Sequence, residues 1–521
     1  MLTGGRKDAE AARGLLLELV RHPQEAGPET IVYAYVYLGY IEDRAGNRKL
    51  ASEWFRKAVA VDGASSGILS LAREGLERPV TWIRHLDEPS GAVRAPAVQT
   101  PRPAKAYVAA DPPAAMALAR NLSASERREN FEALWSAIDT TYACFQLKSI
   151  DWAEIGRRYR SRLESIHGDD AFYALLSQLV NELEDTHSWL QNYRRTLWEP
   201  ADVSIDLLEQ RPVVVAVRAG SAVAAAGVAP GWEVLSVDGL SPAAKVEVLR
   251  QYLHACSSAR AFRREAFRHL LAADQASSAD VQLRSPAGAT KSLTLPRTGG
   301  SRAQPATRVT DFELVRQTFV DFGRHPSGLG YIRIKSFNGR EEISGEFDRA
   351  LEALRDTPGL VLDIRDNTGG FGQPRIVGRL LRKRTLVAIS YVKSGPRHSD
   401  LRKHEVYLDP AGPWQYTRSV ALLVNDVTGS AADLFACELR SARRVVTAGT
   451  TTHGNLSGVA MFVVLPCGLV VRVSNGYIAD ATNRPIEGAG NVPDIAVEPT
   501  LEDFLTGKDT VIEKAVSALQ K

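Results

Sequence analysis

Apolar positions along the chain change spacing several times, and the changes divide it. Residues 8 to about 80 repeat with helical period. Between Leu86 and about Ser123 the period vanishes, and Pro89, Pro96, Pro101, Pro103, Pro112 and Pro113 punctuate Ala, Gly and charged residues. That composition predicts a semi-extended linker. Ser123 and Glu126 have capping-box spacing, so a helix starts there. Phe131, Leu134, Trp135, Ile138 and Tyr142 fall on one face of it. Two more amphipathic helices follow, through Trp152–Leu163 and Phe172–Leu183, the last running straight into Glu184-Asp185-Thr186-His187-Ser188. From about Val203 to Leu295 short strands and turns take over, among them a strand at Val213–Val217 and another within Trp232–Val237. After Gly328 strands at Leu329–Ile334, Leu360–Ile364 and Val420–Val424 alternate with helices at Glu342–Arg355, Gly372–Leu381 and Ser430–Ser441. Such alternation predicts an α/β domain with buried strands.

Two of these regions have recognisable counterparts. Tyr35, Leu38, Gly39, Ala51, Phe55 and Ala58 match a tetratricopeptide repeat in type and offset. Gly39 and Ala51 would let two helices approach, with Phe55 filling the gap between them. Such a region suits docking of a protein partner, and equally an ordinary helical cap, since repeat arrays usually need three or more units. Gly220 to Gly239 resembles a PDZ domain in circularly permuted form. That resemblance implies capture of an extended peptide as an added strand; the alternative is a β-rich insertion without a ligand.

Composition narrows the choices. The chain has 521 residues, 44% hydrophobic and 24% charged, with 64 basic and 61 acidic side chains. This is globular composition, too long for one compact domain. A net charge of +3 gives no electrostatic case for nucleic acid. The four cysteines, Cys144, Cys256, Cys437 and Cys467, are scattered and suggest neither a disulfide framework nor a zinc site. No metal or cofactor is expected. No stretch approaches the roughly 18 uninterrupted apolar residues needed to span a bilayer. Charges in MLTGGRKDAEAARG occupy the place of a signal peptide's apolar core, so the expected location is cytoplasmic.

The candidate chemistry lies in two strand-to-helix turns. In Val361-Leu362-Asp363-Ile364-Arg365-Asp366-Asn367-Thr368-Gly369-Gly370 an apolar strand ends in charge and then paired glycines. Such a turn can leave backbone N–H groups facing a ligand, as an oxyanion hole requires. It is neither GxxxxGK[ST] nor GxGxxG, so nucleotide binding is disfavoured. The second turn, Asn425 to Asp433, places Ser430 at a helix start beside the Ala431 N–H. Taken alone, Ser430 reads as an N-cap with Asp433 completing a capping box.

The serial combination changes that. Asp-x-Arg-x-Asn-x-Gly-Gly at 363–370, Ser-Ala-Ala-Asp at 430–433 and Pro485-Ile486-Glu487-Gly488 at 485–488 occur in this order. From about residue 128 to 500 the chain therefore resembles the C-terminal-processing (tail-specific) and tricorn-type serine peptidases. The resemblance implies a multidomain α+β protein. Its segments are a tetratricopeptide-like region at 1–85, a linker at 86–123 and a helical domain at 124–200. A PDZ-like domain at 201–300, a ClpP/crotonase-like α/β catalytic domain at 301–505 and a C-terminal helix at 506–521 follow. It also implies Ser430 as nucleophile and an oxyanion hole from Gly369 or Gly370 with Ala431. The processing branch uses a lysine 25 residues after the serine, but here Asn455 holds that place and cannot accept a proton. The tricorn-like branch uses a histidine from the helical domain, matched by His187. Its glutamate acts through a hydroxyl beside that histidine, matched by Glu487 and Thr186. Asp185 and Asp480 are rivals for orienting the imidazole, and His453 is a rival base.

The expected reaction is peptide-bond hydrolysis through an acyl-enzyme, on a peptide or protein substrate, by a homo-oligomer. Hydrolysis or cyclisation of a non-protein acyl substrate uses the same groups. A binder or scaffold on this fold need not keep Ser430, His187 and Gly369-Gly370 together.

Overall fold

The computed structural model describes residues 28–44 and 47–61 with isolated positions between Arg13 and Leu76, then 102–113, 116–300, 302–303 and 312–520. The chain forms two compact units, residues 1–98 and 99–521.

In the first unit, helices Pro28–Arg44 and Arg48–Val59 pack as a pair. Leu38, Ala51, Phe55 and Ala58 are fully buried. A Cβ on Gly39 would lie 2.5 Å from Phe55 Cε1, so the absence of a side chain there admits the ring. Most of the expected flanking helices lie outside the described residues.

The second unit is built on three sheets. The central six-stranded sheet has the order Ile495–Ala496, Val446–Gly449, Ser419–Val424, Gly359–Asp363, Gly330–Ile334, Val320–Arg324. Its pairs are parallel except the last. Strands Gly359–Asp363 and Ser419–Val424 are apolar almost throughout because both faces are covered. Helices Glu341–Ala353, Pro374–Leu380 and Ala431–Ser441 share a core with one face. Helix Thr510–Leu519 packs Val511, Ile512, Ala515 and Val516 on the other, against Leu329, Tyr331, Val361 and Leu423. This final helix, expected as a C-terminal segment outside the catalytic domain, is a layer of the α/β domain, and Asp509 at its start pairs with buried Arg365 at 2.8 Å.

An antiparallel sheet runs in the order Tyr107–Ala109, Ser457–Val464, Val470–Ala479, Thr385–Lys393, Leu401–Leu408, with Trp189–Leu190 beside Val470–Ala479. The helical domain lies on it: Phe131, Leu134, Ile138, Phe172 and Leu176 share a core with Val463, Val471 and Val473. Both bonds of the capping box at Ser123 and Glu126 are formed. Trp135 and Trp152 stack, and each indole N–H donates to the other's carbonyl, at 3.2 and 3.0 Å.

The linker expectation needs correction at its end. Tyr107–Ala109 is an edge strand on Phe462–Val464, Ala119 N donates to Cys467 O at 2.8 Å, and Met116, Ala119 and Leu122 are buried. Backbone pairing, which leaves no periodic signature in so short a segment, anchors it. Residues 86–101 lie outside the described residues.

The third sheet, in the order Val203–Leu208, Arg211–Val217, Glu233–Val237, Ser278–Arg284, Thr290–Pro296, packs against helices Pro242–Leu249 and Ala259–Arg268. The segment between those helices reaches the domains on either side. Asn181 Nδ2 donates to Leu253 O at 3.0 Å, and Ser258 Oγ donates to His453 O at 2.9 Å.

Candidate active site

The site forms where strands Gly359–Asp363 and Ser419–Val424 end, the end at which parallel α/β sheets expose loops to ligands. Asp363 and Arg365 are structural. Arg365 Nη2 pairs with Asp363 at 2.6 Å, both side chains being buried. Asn367 shapes the next turn: Nδ2 donates to Ile334 O at 3.2 Å, and Oδ1 accepts from Gly369 N at 2.9 Å. The Gly369 amide is therefore engaged. The Gly370 and Ala431 amides have no hydrogen-bond partner among the described residues. Of the two glycines expected to supply an oxyanion donor, Gly370 has the open N–H. Gly369 provides room instead. Its φ is 101°, and a Cβ there would lie 2.7 Å from Ser430 Cβ and 2.8 Å from Ala431 N.

Ser430 is no ordinary N-cap. It precedes helix Ala431–Ser441 with φ 54° and ψ −122°, a conformation costly for a residue with a Cβ, and its side chain makes no cap bond. The capping-box alternative is corrected accordingly. Asp433, its expected partner, points inward: Oδ2 accepts from Gly454 N at 2.8 Å, Oδ1 accepts from Asn491 Nδ2 at 3.0 Å, and the Thr452 hydroxyl donates to it as well. Burial raises this carboxyl to about 6 against those donors. A strained strand-to-helix turn that presents a serine hydroxyl is how nucleophile elbows are made. Asn455 holds this one, its Oδ1 accepting the Ser430 N–H at 2.5 Å.

His187 Nε2 lies 3.1 Å from Ser430 Oγ. The helix before it ends at Asn181, earlier than expected, and turns through Glu184 at φ 46° bring the imidazole round. Burial holds the ring down to about 4; Asp185 opposes this and Arg472 reinforces it. The imidazole is therefore neutral near pH 7, with a lone pair available to a proton.

The Thr186 and Glu487 expectation requires correction. Thr186 Oγ1 accepts from Ser257 N at 2.9 Å and Thr186 N donates to Ser257 Oγ at 3.1 Å, so its hydroxyl bonds the 253–258 segment. The hydroxyl beside His187 Nδ1 is that of Ser457, at 3.3 Å. Ser457 Oγ donates to Asp185 Oδ1 at 2.7 Å. Glu487 accepts from Ser457 N at 2.6 Å and pairs with Lys148 Nζ at 2.6 Å, with both side chains almost wholly buried. Burial pushes Glu487 up to about 7 against the pull of Lys148. Neither Ser457 nor Lys148 stands out in the sequence: one is the first residue of an apolar strand, the other ends a four-residue helix, Phe145–Lys148.

The remaining rivals lie apart from the proton path. Asp480 accepts from Thr482 N and Arg484 N in its own turn, at 2.8 and 3.0 Å. His453 packs against Gly429, its N–H donating to Thr428 O at 2.8 Å, and its ring has no hydrogen bond to Ser430. No cluster of His, Cys, Asp and Glu among the described residues could hold a metal, and the four cysteines are free.

A strained serine, a neutral imidazole and two open amides on a parallel sheet define a serine-hydrolase constellation. Comparisons with known proteins point to the same chemistry. Residues 328–497 match peptidase family S41, and residues 123–181 match the tricorn protease C1 domain. Over these residues the chain is similar to the C-terminal-processing and tricorn-type peptidases of family S41. It is 25% identical over 241 residues to a carboxy-terminal-processing protease of Bartonella bacilliformis, covering 44% of this chain and 52% of that protein. It is 29% identical over 199 residues to the tricorn protease of Thermoplasma acidophilum, covering 38% of this chain and 17% of that protein. The chain thus spans about half the length of the first relative and less of the second. In fold it resembles mature CPAF, with a TM-score of 0.63 at 14% identity, covering 76% of this chain and 96% of that one.

Proposed function

We propose that the protein is a serine peptidase that hydrolyses peptide bonds through an acyl-enzyme on Ser430. The reading rests on one observation above the others: the 3.1 Å contact between His187 Nε2 and the hydroxyl of a serine held at positive φ beside two open amides. In the reaction Ser430 Oγ bonds the substrate carbonyl carbon as its proton passes to His187 Nε2. The carbonyl oxygen becomes an oxyanion that accepts from Gly370 N–H and Ala431 N–H. Collapse breaks the C–N bond, and the imidazolium gives its proton to the departing amine. Water, deprotonated by the same imidazole, attacks the ester and restores Ser430.

The names of the relatives, C-terminal processing among them, support protein tails as substrate. The five-stranded sheet at 203–296 supports a PDZ-like role in presenting such tails, since an edge strand can add a peptide strand. The Gly39–Phe55 helix pair supports a tetratricopeptide-like platform for a protein partner. Assembly as a homo-oligomer belongs to the same reading.

The test is fluorophosphonate labelling with intact-mass detection, followed by digestion of a peptide library varied at its C-terminus. One adduct per chain, lost in Ser430→Ala, is expected. Labelling that survives Ser430→Ala would place the nucleophile elsewhere, and labelling without cleavage of any peptide would favour a non-peptide acyl substrate.

A further inference from the structure

His187 needs a partner on Nδ1, both to fix the tautomer that leaves Nε2 unprotonated and to compensate charge when the ring takes a proton. Four acids are candidates: Asp185, Asp433, Asp480 and Glu487. The hydrogen bonds decide among them.

Glu487 has both oxygens committed. One accepts from the Ser457 backbone N–H, the other pairs with Lys148, and no hydroxyl links either to the imidazole. Lys148 is itself fixed, donating to Glu184 O at 2.5 Å. Asp433 is occupied with loop residues, and Asp480 lies in a separate turn.

Asp185 differs. It is fully buried, and Oδ1 accepts both the His187 N–H at 2.8 Å and the Ser457 hydroxyl at 2.7 Å. Oδ2 accepts from Ser188 Oγ at 2.9 Å. With Ser457 O–H directed to Asp185, the Ser457 oxygen can accept only from the imidazole, so Nδ1 carries the proton and Nε2 faces Ser430 unprotonated.

We propose that Asp185, acting through the Ser457 hydroxyl, is the positioning carboxylate of His187, and that Glu487 anchors the Ser457 backbone. The inference rests on the serine peptidase reading above and replaces the glutamate relay that the family resemblance implies. The directed order is Ser430 O–H to His187, His187 Nδ1–H to Ser457, Ser457 O–H to Asp185. Burial disfavours charge on Asp185, but Lys148 and His187 outweigh it, so the carboxylate stays ionised. The other charged or titratable groups facing His187 are Arg472, whose guanidinium donates to His187 O, and the imidazoles of His254 and His453.

The test measures the fluorophosphonate labelling rate of Ser430 in the full chain against pH, for wild type, Asp185→Asn, Glu487→Gln, Ser457→Ala and the double variant Asp185→Asn/Ser457→Ala. Asp185→Asn is expected to slow the plateau rate by roughly 100-fold and to move the acid limb to lower pH, because a negative charge that favours the imidazolium is gone. Ser457→Ala should slow labelling similarly, and Asp185→Asn should add little to it, since the two act as one path. Glu487→Gln should leave the acid limb where it is. A purely structural Asp185 would lower the amount of labelled protein without moving that limb, and this result would overturn the proposal. So would a limb that moves in Glu487→Gln and stays in Asp185→Asn. If Asp185→Asn fails to fold, Ser457→Ala decides: an unchanged rate and limb contradict the proposal. Wild type that never labels would overturn the peptidase reading itself, whereas wild type that labels with an insensitive Asp185 overturns this inference alone.

Discussion

Asn455 Oδ1 accepts the backbone N–H of Ser430 at 2.5 Å, so the side chain standing where the processing branch has its lysine base holds the main chain of Ser430 and leaves its hydroxyl proton alone. The bond helps maintain the φ of 54° at Ser430. Asn455→Ala should therefore slow labelling by about tenfold, equivalent to about 1.4 kcal/mol, the size of one hydrogen bond. Asn455→Lys should not create a Ser-Lys enzyme: combined with His187→Ala it should remain unreactive in the same labelling assay.

Strain at Ser430 predicts a trade between activity and stability. Ser430→Gly removes the Cβ that makes positive φ costly, and should raise unfolding stability by about 1 kcal/mol while abolishing labelling. Urea denaturation read by intrinsic fluorescence measures the first effect. A variant less stable than wild type would mean that contacts of the serine side chain outweigh the strain.

The paired glycines should respond differently to alanine. At Gly369 the new Cβ would crowd Ser430 Cβ and Ala431 N, at 2.7 and 2.8 Å, so the cost falls on the site. Losing the oxyanion geometry is worth about 3 kcal/mol, roughly a 100-fold fall in labelling rate. At Gly370 the Cβ would meet the Phe337 carbonyl carbon and oxygen at 2.3 Å, within the bridge that joins the two segments. Gly370→Ala should therefore lose folded protein, seen as a lower melting temperature, before any specific kinetic defect appears.

Histidines set two pH limits of opposite sign. Burial lowers His187 and His453 to about 4 in the folded chain, below the unfolded value of about 6.5. The unfolded chain then binds more protons as pH falls from 6.5 to 4, so stability is lost across that window. His269 is the reverse: Glu199 at 2.6 Å and Glu265 at 3.1 Å outweigh burial and raise it to about 9. Its stabilisation is complete below pH 6.5 and disappears as pH rises through 9. Urea midpoints measured from pH 4 to 10 should form a plateau that falls at both ends, and His269→Gln should flatten the alkaline fall.

How far the sequence disclosed this arrangement depends on the range of each interaction. The turns at 363–370 and 425–433 are local, their strands apolar and their glycines adjacent, so they can be read directly. Helix faces such as Phe131-Leu134-Ile138 can be read for the same reason. Ser457 reaches His187 across 270 residues, and nothing in the apolar alternation of its strand distinguishes it from any buried serine. Adjacency misled at Thr186: next to His187 in the chain, it turns its hydroxyl to the Ser257 backbone. The edge strand Tyr107–Ala109 also escaped, because three residues among prolines carry no period and gain their structure from Phe462–Val464.

The most direct measurement is the labelling rate of Ser430 by fluorophosphonate at pH 7 in wild type, His187→Ala and His453→Ala, each followed by intact mass. One adduct is expected in wild type, with a rate at least about 100-fold lower without the His187 imidazole and a near-normal rate without that of His453. Equal rates in wild type and His187→Ala, or loss confined to His453→Ala, would mean that His187 is not the base.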